Sequence, residues 1–199
     1  MGLVIFGAMA LYLVIAIFVV TGAISHARKH GKNVKRWGWG AALAMYLIPF
    51  WDWIPTVAVH KYYCATEAGF WVYKTPEQWK KENPGVMETL VAQEVTVPSK
   101  RVGDDDNWVS TYSLNQRVLW INEHRGSLLL YRWNLESTLV DSGTNEVLAR
   151  AIDFYTAQTR GGGGWRGWKF WLALDHCPTH GNDAKQFGDY LAQIKGAKK

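Results

Sequence analysis

The apolar positions of this chain are concentrated in its first 60 residues, where they form two long runs. Residues 3–24 carry no charged side chain. At about 1.5 Å of rise per residue, a helix of that length crosses the roughly 30 Å hydrocarbon core of a bilayer. No basic segment precedes the run and no small-x-small cleavage pattern follows it. We therefore expect a retained transmembrane helix rather than a cleaved signal peptide.

The second run, residues 37–59, predicts a second transmembrane helix that returns to the opposite side of the membrane. Tryptophans lie near both of its ends, as is typical of the two membrane interfaces. They are Trp37 and Trp39 at one end and Trp51 and Trp53 at the other. Pro49 and Pro55 predict that this helix bends or ends around the FWDW segment, because proline removes a helical hydrogen bond.

Asp52 is the single carboxylate in that run. A carboxylate within a membrane is by default a candidate for binding a proton, an ion or a partner. Its position between two interface-type tryptophans favours another interpretation, in which Asp52 lies at the outer headgroup level. There it would be hydrated or paired with a nearby base such as Lys61.

The segment between the two runs is basic and sets the expected orientation. It holds five cationic residues and no acid: Arg28, Lys29, Lys32, Lys35 and Arg36. Short basic loops stay in the cytoplasm. We therefore expect residues 25–36 inside a bacterial-type inner (plasma) membrane, and both the N-terminus and residues 61–199 outside it, in the periplasm or extracellular space.

The net charge of +5 belongs to this loop rather than to the remainder of the chain. From residue 61 onward there are 17 Lys or Arg and 16 Asp or Glu residues. A nucleic-acid-binding domain would need a basic surface of its own, so the sequence predicts no nucleic-acid partner.

Residues 61–199 have the alternating pattern of an antiparallel sheet, followed by a helix. Residues 117–123, 130–136 and 147–155 predict three strands, with turns at 124–127 and 141–145. Further predictions are a short helix at 76–85, a charged loop at 99–107, a glycine loop at 161–164 and a fourth strand at 165–174, while 86–97 is ambiguous between strand and helix. Phe187, Tyr190, Leu191 and Ile194 share one face of a C-terminal amphipathic helix, with Asn182 or Asp183 as its N-cap.

These patterns predict a membrane-anchored α+β protein in two parts. Residues 1–60 form a transmembrane hairpin, with helices at about 3–24 and 37–59 on either side of the loop 25–36. Residues 61–199 form a small antiparallel β-sheet domain that ends in the amphipathic helix.

Cys64 and Cys177 are the two cysteines of the chain, and the predicted topology places both outside the cytoplasm. Thiols oxidise there, so a single disulfide between them is expected. Two reduced, buried cysteines are the alternative.

A cluster around the second cysteine could bind a metal ion. Asp175, His176 and His180 offer one carboxylate and two imidazoles, and Cys177-x-x-His180 is a usable ligand spacing. His60 and His124 could complete a site only if the fold delivers them. No second ligand pair is present nearby, which favours loop histidines beside a disulfide as the plainer interpretation.

No nucleophile elbow, nucleotide-binding loop or haem-attachment motif is present, which favours a non-catalytic role without a cofactor or a small-molecule substrate. We therefore predict an accessory or assembly subunit of a larger membrane complex, with the lipid bilayer and other membrane-protein subunits as its partners. Glycines and alanines in both apolar runs would allow close helix approach. The alternatives are a ligand-binding or exclusion module at the outer face of the membrane, and a metal-dependent enzyme that uses the 175–180 cluster.

Overall fold

The computed structural model describes residues 2–92, 98, 100–104, 107–127, 131–157 and 169–196. The protein is α+β, with an N-terminal apolar helix and a six-stranded antiparallel sheet. The described helices are α1 (Gly2–Lys29), α2 (Val34–Phe50), α3 (Trp53–Thr66), α4 (Pro76–Glu82), α5 (Val86–Thr89) and α6 (His180–Ile194). The strands are β1 (Gly69–Val72), β2 (Lys100–Gly103), β3 (Asn107–Ser113), β4 (Val118–Ser127), β5 (Arg132–Asp141) and β6 (Glu146–Thr156). We call β1–β6 with α4–α6 the sheet domain.

Helices α1 and α2 form a hairpin, and the five basic residues lie in its turn and in the adjoining helix ends. Among the described helices, α1 alone is by itself long and apolar enough to cross a membrane. Its contact with α2 is close at the turn end, where a side-chain carbon on Gly38 would lie 3.1 Å from Ile24. At the other end the Tyr12 hydroxyl donates a hydrogen bond to the Met45 carbonyl. Most of the apolar surface of α1 is nevertheless exposed, and only Ala27 is buried.

The second apolar run, predicted as a transmembrane helix over residues 37–59, is bent as its prolines predict and does not form a second clear membrane span. It is divided into α2 and α3, which meet at a bend of 55° and would pass as a membrane span only if taken together. The bend falls between Pro49 and Pro55, where the sequence predicts it. Each proline lacks an amide hydrogen and its ring crowds the preceding turn, so the backbone cannot run straight through Trp51 and Asp52.

The sheet has the strand order β1-β6-β5-β4-β3-β2, and every neighbouring pair is antiparallel. The predicted three-strand meander corresponds to β4, β5 and β6. Its strands are longer than predicted, however, because residues 124–127 continue β4 rather than turning. The turn at 141–145 lies between β5 and β6 as predicted.

Two other predictions of local structure are corrected. Residues 100–103 and 107 belong to the hairpin β2–β3 rather than to a charged loop. The described part of the predicted fourth strand is a 3-10 helix, Phe170–Leu172, followed by one isolated bridge from Leu174 to Thr156. It cannot pair along β6 because β1 occupies that edge. The glycine run 161–164 and residues 165–168 lie outside the described residues.

The core of the sheet domain forms where α4 and α6 pack with the sheet. Its fully buried members include Trp79, Leu114, Leu139, Leu148 and Ile194. The predicted helix 76–85 is α4, which begins with a capping box formed by Thr75 and Gln78. The predicted C-terminal helix is α6. It begins after Thr179 rather than at Asn182 or Asp183, and it buries Phe187, Tyr190 and Ile194 as its pattern predicts.

Helix α3 connects the hairpin to this domain by packing against β6. The Tyr63 ring lies 5.2 Å from the Phe154 ring, and the Arg132 guanidinium lies 3.8 Å from the Tyr63 ring. These contacts place the last turns of α3 on the sheet domain.

Candidate functional site

The cysteines predicted to pair lie where α3 meets the sheet domain. Cys64, near the end of α3, is joined by a disulfide to Cys177, in the loop before α6. Their Cα atoms are 5.3 Å apart, although 113 positions separate them in the sequence. The bond fastens the end of α3 to the C-terminal part of the sheet domain.

Beside this disulfide, three potential metal ligands converge. They are Asp153 from β6, His176 from the loop before α6, and His180, the first residue of α6. One ligand atom from each lies within 4.8 Å of the others. The Nδ1 atom of His180 is 2.9 Å from Oδ2 of Asp153, and Nδ1 of His176 is hydrogen-bonded to the same oxygen.

The fold brings together two of the three ligands predicted from the sequence and replaces the third. His176 and His180 are adjacent, with their rings stacked 4.2 Å apart. Asp175, the predicted carboxylate, is exposed and lies in the wall of the neighbouring groove, outside this cluster. Asp153 takes its place. Asp153 could be recognised as a candidate ligand only as a carboxylate at a buried position of a strand. That position is evident only once the strand register is known.

The carboxylate of Asp153 is held in position by the backbone beside the disulfide. Its side chain is largely buried, and its Oδ1 accepts a hydrogen bond of 3.0 Å from the Cys177 amide. Oδ2 is thereby directed towards the two imidazoles. The His180 amide donates a bond of 2.9 Å to the Cys177 carbonyl, which fixes the start of α6 against the same residue.

A row of rings leads from this cluster across the sheet. The His176 ring is 5.2 Å from that of Tyr155, whose hydroxyl lies 3.1 Å from Nε2 of the buried His124. His124 is in turn stacked between Trp108 and Trp133, at 5.3 and 5.2 Å. The fold therefore brings His124 to Tyr155 rather than to the ligand cluster.

A groove of about 450 Å³ opens next to the cluster, between α3 and the loop that carries His176. His60 lies in its wall, 8% exposed, with its Nε2 3.6 Å from the Cys64 sulfur. Lys61 and Asp175 also line the groove. The disulfide, an imidazole and charges of both signs thus share one solvent-accessible cleft.

Asp52 is at a different place, the bend between α2 and α3. It is 2% exposed, and its Oδ2 forms an ion pair of 2.6 Å with Nζ of Lys169. The sequence places a base beside it but suggests Lys61, which is instead exposed on α3. Oδ1 of Asp52 and the Thr56 hydroxyl are buried without a hydrogen-bond partner among the described residues.

Breaking this ion pair is expected to destabilise the contact between the hairpin and the sheet domain. In Lys169→Met the buried Asp52 carboxylate loses its cation, at a cost of about 3 kcal/mol, the lower end of the range for removing one partner of a buried ion pair. The double variant Asp52→Asn with Lys169→Met removes both charges and should recover most of that loss. Thermal unfolding in detergent measures both. Equal loss in the single and double variants would show that the pair is not coupled.

Comparison with protein-family models, curated proteins and solved structures finds no match to this chain. What the site can do chemically is therefore inferred from its side chains alone. Two imidazoles and a carboxylate around one point can share a proton or bind a cation. The buried pair Asp52–Lys169 joins two parts of the fold through Oδ2 of Asp52.

Proposed function

We propose that this protein is an integral membrane protein of a bacterial-type plasma membrane and serves as an accessory or assembly subunit of a larger membrane complex. Its sheet domain would lie on the outer side. The first support is α1, whose large apolar side chains face outward over its whole length. Those more than half exposed are Leu3, Val4, Phe6, Leu11, Leu13, Ile17 and Phe18. Such a surface is stable only in an apolar environment.

The orientation is supported by two independent features at opposite ends of the hairpin. The basic residues lie together at the turn between α1 and α2, and short basic loops remain in the cytoplasm. The disulfide Cys64–Cys177 lies at the other end, and disulfides persist in oxidising compartments. Both features favour the same topology.

In this proposal α2 and the start of α3 form a broken second crossing. Trp51 and Trp53, 62% and 39% exposed, lie at the bend, where an outer interface would be. The charge of Asp52 is neutralised there by Lys169, so the bend carries no unpaired charge into the bilayer.

The observation that carries the proposal is the attachment of the sheet domain to α2 and α3 by three separate contacts. Phe50 meets Trp171 edge to face at 4.9 Å, Asp52 is paired with Lys169, and the disulfide fastens the end of α3. A domain held at three points presents one fixed surface to its neighbours in the membrane. An attachment of this kind favours permanent contact with a partner subunit over binding to targets far from the membrane anchor.

The edge strand β1 is the surface that we assign to this contact. Trp71, Val72 and the following Tyr73 are 39%, 44% and 59% exposed, and β1 itself carries no charged residue. The opposite edge, β2, contains Lys100 and Arg101, and charges on an edge strand oppose pairing with another chain. β1 also follows α3 directly, so it lies near the membrane attachment.

Small residues on the hairpin support contact within the membrane as well. Side-chain carbons added at Gly7, Gly22 and Gly40 would lie more than 4 Å from every described residue other than the neighbouring backbone of their own helix. These positions therefore leave the backbone open for close approach by another helix. Gly38, by contrast, is used in the contact between α1 and α2.

The test is purification of the full chain from its native membranes in mild detergent, with Val72→Glu compared with Val102→Glu. Both residues are exposed valines, but they lie on opposite edges of the sheet. We expect a stoichiometric membrane-protein partner with the parent chain and with Val102→Glu, and loss of that partner with Val72→Glu.

A monodisperse monomer of the 22.6 kDa chain without a stoichiometric partner would overturn the proposed role. Equal retention of a partner in both variants would remove the assignment to β1. The topology is checked separately by labelling cysteines introduced at positions 30 and 102 with a membrane-impermeant reagent. Only position 102 should react in intact cells.

A further inference from the structure

We propose that Asp153, His176 and His180 bind one divalent ion of the first transition series, with zinc as the reference ion, and leave a coordination position open to the groove beside the disulfide. This site is independent of the partner subunit proposed above.

The donor set selects the class of ion. Two imidazole nitrogens and one carboxylate oxygen are typical of zinc, iron(II), nickel and copper sites. Calcium and magnesium require mainly oxygen ligands, which this cluster does not supply among the described residues. Both histidines direct Nδ1 to Oδ2 of Asp153, and one ligand atom from each of the three residues lies within 4.8 Å of the others.

The distances are compatible with an ion after a small expansion. Ligand atoms that bind zinc tetrahedrally at about 2.0–2.1 Å lie about 3.3 Å from one another. Nδ1 of His180 is now 2.9 Å from Oδ2 of Asp153, and His176 is closer still. Binding of zinc would therefore require Nδ1 of His180 and Oδ2 of Asp153 to move apart by about 0.4 Å, and Nδ1 of His176 to move further.

The ligands are supported from behind in the way that metal sites require. Oδ1 of Asp153 is fixed by the Cys177 amide, and Cys177 is itself fixed by the disulfide. The ring of His176 rests against that of Tyr155. Contacts behind the ligands orient them and raise affinity.

The ligand side is open to solvent and to the groove. The side chains of His176 and His180 are 43% and 41% exposed, whereas that of Asp153 is 12% exposed. An ion can therefore enter without unfolding the domain. Three protein ligands with a free position are typical of zinc sites that bind water or a small ligand, whereas structural zinc sites have four protein ligands. The groove with His60 and Lys61 lies beside that free position.

A purely structural pairing, in which the carboxylate of Asp153 accepts hydrogen bonds from both imidazoles, has the same contacts but predicts no metal binding. The experiment therefore measures binding directly. The full chain is purified in detergent without a polyhistidine tag, stripped with chelator and titrated with zinc in competition with a chromophoric chelator. Cobalt(II) then gives the visible absorption that reports coordination number.

We expect one equivalent of zinc and a cobalt spectrum of four- or five-coordination. His176→Gln, His180→Gln and Asp153→Asn should each weaken zinc binding by about 100-fold or more. Two controls are built into the chain. Asp175→Asn changes the adjacent carboxylate that lies outside the cluster, and His30→Gln changes a second close histidine pair, His26–His30, whose ring centroids are 4.3 Å apart. Both should bind zinc as the parent does.

Absence of stoichiometric zinc and cobalt binding in the parent overturns the proposal. So does unchanged affinity in both histidine variants, or loss of affinity in Asp175→Asn but not in Asp153→Asn. Because the side chains of His176 and His180 are both partly accessible to solvent, their variants are expected to keep the unfolding temperature of the metal-free parent. If one of them does not fold, the cobalt spectrum of the parent still decides between an inner-sphere site and none.

Discussion

Replacement of Asp141 by alanine is expected to lower the free energy of unfolding of the sheet domain by about 3–5 kcal/mol, because it leaves a buried network without its anion. Asp141 ends β5 and is fully buried. Its carboxylate accepts bonds from Arg117 at 2.9 Å, from the Trp79 indole at 2.7 Å and from the Gly143 amide at 2.8 Å. No sequence motif predicts a structural role for Asp141, yet its hydrogen bonds connect α4 to the β5–β6 turn.

The measurement is urea unfolding of the full chain in detergent, followed by far-ultraviolet circular dichroism. Glu146→Ala is the matched control, since Glu146 lies across the same turn and is paired with Lys74 at 2.7 Å, but on the exposed surface. Its loss should be much smaller, because exposed pairs are screened by water. Similar losses in the two variants would show that burial does not determine the strength of the Asp141 network.

The same residue predicts how stability depends on pH. Burial alone raises the pKa of Asp141, but the hydrogen bonds from Arg117, Trp79 and the Gly143 amide outweigh it and lower that pKa below its usual value. A lowered folded-state pKa stabilises the fold fully above the unfolded pKa of about 3.9, and this contribution is lost as pH falls through the folded value. The stability difference between the parent and Asp141→Asn should therefore be constant near pH 7 and shrink below about pH 4. A difference that grows on acidification would contradict this sign.

The sequence predicts most of the sheet because alternation of apolar and polar residues is a local signal. β4, β5 and β6 each have ten or eleven residues, long enough for period-two patterning to stand out. β1 and β2 have four residues each, too few for a pattern, and the charges of β2 imitate a loop. Sequence reasoning therefore missed both edge strands, and it also missed β3, whose seven residues lie inside the sheet.

In the candidate site, too, contacts between residues close in sequence could be predicted, whereas contacts between residues far apart in sequence could not. His176 and His180 are four positions apart, and their proximity follows from the sequence. Asp153 and Lys169 lie 23 and 117 positions from their partners, and only the fold brings them together. The bend at Asp52 is again local, because Pro49 and Pro55 encode it, but the cation that neutralises Asp52 is not.

Removal of the disulfide is the second change with a large expected effect. The double variant Cys64→Ala with Cys177→Ala should lose about 4–5 kcal/mol, the chain-entropy value for a closed loop of this length. The bond closes a loop with a sequence separation of 113, which contains every strand of the sheet. Urea unfolding of the parent and the double variant, each with and without reductant, measures the loss.

The measurement with reductant distinguishes the effect of losing the disulfide from other effects of replacing the two cysteines by alanine. Reductant should lower the unfolding midpoint of the parent towards that of the double variant and leave the double variant unchanged. Thiol labelling confirms that reduction has occurred. An unchanged midpoint in a fully labelled parent would show that the bond adds nothing to stability. The disulfide also fixes Cys177, whose amide orients Asp153. Zinc affinity should therefore fall in the double variant even under conditions in which the sheet remains folded, so one bond supports both the attachment of the domain and the geometry of its proposed metal ligands.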